Sequence, residues 1–170
     1  MLPESETLYT VAEVGIAITG FAGIVAAIGH RSDTVRSADA AANLRNLVGA
    51  SLGTVLFSFV PVWLNAAINS PDAVWQVSNG AYGVYRLSYL AFIIVSIRRG
   101  GKPIFEHTHQ VVTLPLGIAL GISHLIAAMG LLREFHYFIY LTGLFWGLGI
   151  GLLNFSRLLS DRTESDAAAV

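Results

Sequence analysis

Glu13, Arg86 and His124 stand as isolated ionisable residues inside long apolar stretches, and Tyr85 sits beside the arginine. A carboxylate there can bind and release a proton or a cation, a guanidinium can hold an anionic group, and an imidazole can act as acid, base or ligand. A charged side chain costs roughly 2.5 to 3.5 kcal/mol at the centre of a bilayer on insertion scales, which makes each of these a candidate ligand or ion residue by default. Tyr82, Tyr85, Arg86 and Tyr89 follow three- and four-residue spacings that place them on one helical face. A guanidinium among phenol rings forms cation-π contacts and can hold an anion or a carboxylate. The plainer reading of the six tyrosines is an aromatic belt at the membrane interface, with Arg86 snorkelling outward.

Five apolar windows must position these residues: Leu8 to Gly29, Leu44 to Ile68, Ala81 to Ile97, Val111 to Leu132 and Phe135 to Phe155. A hydrocarbon core of about 30 Å needs about 20 helical residues, and most of the windows meet that length. None alternates apolar and polar residues with period two, so helices are expected and barrel strands are not. The short Arg133-Glu134 connection implies an antiparallel hairpin of the last two spans. The expected fold is therefore an all-α polytopic membrane bundle, with 54% hydrophobic and only 12% charged residues leaving little to solvate a separate domain. A single transmembrane domain over 1–159 is expected, followed by a mobile polar tail over 160–170. Ser37 to Asn43 is rich in alanine and reads as helix, so the second span is expected to continue as a longer rod.

Lys and Arg in short loops resist translocation, and their distribution is lopsided. Arg31, Arg36, Arg45, Arg98, Arg99, Lys102, Arg157 and Arg162 fall on one side, against Arg133 on the other. This predicts a multi-pass protein of the cytoplasmic (inner) membrane with its N-terminus outside and its C-terminus in the cytoplasm. Met1 to Thr7 carries Glu4 and Glu6 and no base, the wrong charge for a signal-peptide start, so the first apolar stretch is expected to stay as a span. On this topology Glu13 and Arg86 share a depth and are expected to pair, either as a structural salt bridge or as a site in which Arg86 tunes the glutamate. Asn65, His124 and His136 fall in the same half of the bilayer.

Glycine is arranged in strips: Gly49 and Gly53 in the second span, Gly117 and Gly121 in the fourth, and Gly143, Gly147 and Gly151 in the fifth. Small residues let helix backbones approach where lipid supplies no hydrophobic drive. These strips either seat helices within the monomer or form a subunit interface.

Several function classes lack support. There is no cysteine, which removes disulfides and thiolate chemistry. His124 and His136 are about two helical turns apart in depth, a poor arrangement for two haem ligands. Glu106, His107 and His109 form a short loop cluster that reads better as a polar collar than as a metal site. No phosphate loop, zinc-protease motif or nucleophile elbow is present, and the basic residues are too dispersed for nucleic acid. No cofactor is expected, and the expected partners are the lipid bilayer with a homo-oligomer or a membrane protein.

VAEVGIAITGFAGIVAAIG at Val11 to Gly29, a basic loop and NLVGASLGTVLFSFVP at Asn46 to Pro61 resemble the opening of small multispanning bacterial membrane proteins of unassigned function. Ala12-Glu13-Val14 is also similar to the first span of small multidrug-resistance transporters, where a glutamate exchanges protons for cationic drugs. This chain departs from that pattern in length, in its five spans rather than four, and in Arg86, which would repel a cation.

Three functions follow as expectations. The first is an oligomeric channel or transporter whose outer vestibule is lined by Glu13, Tyr85, Arg86 and His124. The second is a non-catalytic membrane subunit or interaction protein in which the polar groups are internal staples. The third is a lipid- or quinone-binding protein using His124 and tyrosines.

Overall fold

A computed structural model describes residues 3–29, 38–99 and 108–168, with side chains described over 3–25, 44–99 and 111–157. Five helices follow one another: α1 (Ser5–Gly29), α2 (Ala38–Ala67), α3 (Pro71–Arg99), α4 (Thr108–Ala128) and α5 (His136–Ala168), with a 3₁₀ turn at Arg133–Phe135 before the last. No strand occurs among the described residues. All five are long and apolar enough to cross a membrane. Large apolar side chains such as Trp63, Met129, Leu56, Phe138 and Phe21 are exposed.

Element ends depart from the sequence expectation in three places. The third helix starts at Pro71 rather than Ala81. Ser70 caps it, its Oγ accepting from the Ala73 N–H at 3.4 Å, with Pro71 and Asp72 in the first turn. Gln76, Ser78 and Asn79 make the stretch before Ala81 more polar than the rest of the span, yet they are helical. The fourth helix stops at Ala128 rather than Leu132, because the chain turns through left-handed backbone at Gly130 (φ 81°) and Leu132 (φ 61°). The fifth runs as helix to Ala168, through most of the segment expected to be a polar tail.

The chain divides into two compact units, Val60–Gly143 in one and Pro3–Phe59 with Leu144–Val170 in the other. In the first, hereafter the polar unit, α3 lies against α4 through small residues. A Cβ at Gly83 would lie 3.0 Å from His124 Cβ, one at Gly80 3.3 Å from Ala128 Cβ, and one at Gly121 2.6 Å from Leu87 Cδ2. As α3 advances its partners on α4 recede, so the two are antiparallel. In the second, the apolar unit, α1 is antiparallel to α2. Tyr9 meets the Phe59 ring at 6.0 Å, and a Cβ at Gly15 would lie 2.7 Å from Val55 Cγ2 and 3.6 Å from Leu148 Cδ2. Gly151 of α5 faces Ser51 Oγ and Ile18 in the same unit.

Candidate functional site

In the polar unit the buried Asn79, Arg86, His124 and His136 converge on one network carried by α3, α4 and the first two turns of α5, while the buried Ser78 hydroxyl has no hydrogen-bond partner among the described residues. Trp75, Asn79, Tyr82 and Arg86 recur every three or four residues and so form one stripe on α3. Asn79 is its hub. Its Nδ2 donates to the Trp75 carbonyl at 2.9 Å and to the His136 carbonyl at 3.2 Å. Two carbonyls can only accept, so the amide has one permitted orientation, with Oδ1 turned to His124 Nδ1 at 2.8 Å. His124 must therefore carry its proton on Nδ1 and donate it. Its Nε2 is left without a hydrogen-bond partner, and the ring is fully buried.

Gly143 makes room for that ring. A Cβ there would run into His124 Nε2 and lie 2.7 Å from Tyr82 Cε1. The Gly143 carbonyl in turn accepts from the Tyr82 hydroxyl at 3.0 Å and from Arg86 Nη1 at 3.1 Å. Arg86 is only 8% exposed, and its Cζ lies 5.7 Å from the Tyr82 ring centroid. Aromatic rings fill the rest. Tyr82 stands edge-on to His124 at 4.9 Å, Tyr140 lies 5.5 Å from Tyr82, and Trp75 meets Tyr137 and Tyr140 at 5.3 and 5.7 Å. At the near end of α5, His136 is buried and its Nε2 donates to the Leu131 carbonyl at 3.2 Å, leaving Nδ1 without a partner.

Of the sequence-derived site residues, the structure brings Arg86 and His124 into this network. Tyr85 stands half-buried between Tyr82 and Tyr89, stacked at 6.3 and 6.2 Å. Glu13 belongs to the apolar unit, where it is exposed on α1. Tyr82 and Tyr140 are buried core residues. Asn65 is half-buried at the end of α2. Among the strip glycines, Gly121, Gly143 and Gly151 each have a neighbouring side chain where a Cβ would go. Gly53 and Gly117 are buried, and Gly49 and Gly147 are half-buried. Glu106 and His107 lie outside the described residues, as does the side chain of His109. No group of three potential metal ligands occurs among the described residues.

The hub residue, Asn79, was missed by sequence reasoning, which began the third span two residues after it. The signal was present, since Asn79 is three residues before Tyr82 and seven before Arg86, on their stripe. Comparisons with family models, curated proteins and solved structures returned no match.

Chemically, the network is closed. Arg86 is turned onto a backbone carbonyl and a phenol ring, His124 Nδ1 onto an amide oxygen, and the free His124 Nε2 is covered by the backbone of Gly143. A ligand or an axial metal approaching Nε2 would have to displace α5.

Proposed function

We propose that this is a multi-pass protein of the cytoplasmic membrane, N-terminus outside, acting as a non-catalytic subunit or interaction protein. The carrying observation is the burial of Arg86 and His124 within one unit, where Arg86 Nη1 donates to the Gly143 carbonyl and His124 Nδ1 to Asn79 Oδ1. A residue lining a vestibule faces water in the free chain, and neither of these does. Intramembrane polar groups that bond across helices act as glue, because the alternative is an unpaired group in hydrocarbon. The lopsided distribution of Lys and Arg supports the orientation.

The test is proton and ion flux in liposomes holding the purified chain, with Arg86→Gln and His124→Ala beside wild type. On this reading no variant conducts, and both substitutions lower the melting temperature. Flux that Arg86→Gln abolishes at unchanged melting temperature would instead establish a channel or transporter.

A further inference from the structure

Glu13 is an ionisable residue in the interior of a span that the described residues of its own unit leave unused. It is exposed on α1, eight residues and about 12 Å along the axis from Ser5. That depth lies inside Ser5–Val25, a stretch long and apolar enough to cross a membrane. Among the described residues no hydrogen bond or ion pair reaches its carboxylate. The nearest polar group on its face, the Thr10 hydroxyl, donates to the Glu6 carbonyl at 3.0 Å instead.

The same face of α1 is open along its length. Thr10, Ala17, Gly20 and Ile24 stand at the helical spacings that align them with Glu13, and all are exposed. A side chain at Gly20 would meet nothing within 4 Å. We infer that this face docks a transmembrane helix of a partner protein that carries a lysine or arginine at the depth of Glu13. The inference rests on the membrane-subunit reading and names its partner's chemistry.

Charge decides the occupant. A carboxylate in hydrocarbon is stabilised by a cation far more than in water, because the low dielectric leaves their attraction unscreened. Among the described residues, a second copy of this chain brings no such cation. Arg45, Arg98, Arg99, Arg133 and Arg157 all stand at ends of apolar stretches, and Arg86 is engaged on the Gly143 carbonyl. Ala17, one turn beyond Glu13, and Gly20, two turns beyond it, add little bulk to this face, so a partner backbone can approach closely on that side of the carboxylate.

The test uses the full chain, fluorescently labelled, in phosphatidylcholine vesicles with a synthetic single-span leucine-alanine peptide. One peptide carries a lysine a third of the way along its span, and its control carries leucine there. Energy transfer is expected to report about tenfold tighter association of the lysine peptide with wild type. Glu13→Gln should erase that preference, and Gly20→Leu should weaken binding of the lysine peptide by crowding the face. No preference in wild type, a preference that survives Glu13→Gln, or binding indifferent to Gly20→Leu overturns the inference. Self-association abolished by Glu13→Gln without any lysine preference also overturns it, in favour of a second copy. A chain that carbonate strips from the vesicles would overturn the membrane reading as well, whereas an inserted chain without lysine preference overturns this inference alone.

Discussion

The two units bury polar side chains by opposite means. In the apolar unit the side-chain bonds stay within one helix: Thr19 donates to the Gly15 carbonyl, Thr54 to Ala50, Ser58 to Thr54 and Asn154 to Ile150, all at about one turn's distance in sequence, while the buried Ser51 hydroxyl has no hydrogen-bond partner among the described residues. In the polar unit they reach other helices, with Asn79 joined to His124 and His136, and Tyr82 and Arg86 joined to Gly143. A hydroxyl bonded to its own turn says nothing about which helix lies next to it. An amide bonded to two other helices specifies both neighbours and their register. Helix choice in the apolar unit therefore rests on small residues such as Gly15 and Gly151, and in the polar unit on bonds as well as on shape.

Gly143→Leu is expected to do the most damage to this contrast, since the added side chain would occupy the space of the His124 and Tyr82 rings. A loss of about 3 kcal/mol is expected from such overpacking, read as thermal unfolding in detergent. Asn79→Leu keeps the branched shape, though not the volume, and strands the His124 Nδ1–H and the His136 carbonyl; it should cost about 2 kcal/mol. If unfolding then showed no loss, the network would not be what holds α3, α4 and α5 together. Gly20→Ala, at an open position in the apolar unit, should stabilise the isolated chain by about 0.5 kcal/mol through helix propensity alone. Thr54→Val, which removes a bond confined to one helix, is expected to change stability by less than about 0.5 kcal/mol. A cost at Thr54 equal to that at Asn79 would erase the distinction between the units.

Much of the fold was legible because hydrophobicity and length are local properties. The five helices follow from apolar runs that needed no knowledge of their neighbours. The start of α3 was misplaced because hydropathy averages over side chains, while Ser70, Pro71 and Asp72 announce the helix by capping chemistry instead. The candidate site was legible only in part. Arg86 and His124 stood out as costly residues in apolar surroundings, whereas Asn79 lay in a polar stretch and was marked only by its register with Tyr82 and Arg86. Burial of Tyr82 and Tyr140 could not be read from their depth, since a belt tyrosine and a core tyrosine share a level and differ only in the direction they face.

Sequence alone thus determined the helical class, the number of helices and the residues whose charge demands an explanation, because these depend on composition and on periodicity along one chain. Tertiary structure decided which of those residues are tied up and which is free. Arg86 and His124 are each bonded to a partner, 57 and 45 residues away respectively, and Glu13 is left exposed. The physical reason is that a buried polar group is met by whatever other helix the packing brings beside it, and the spacing along one helix carries no record of that neighbour.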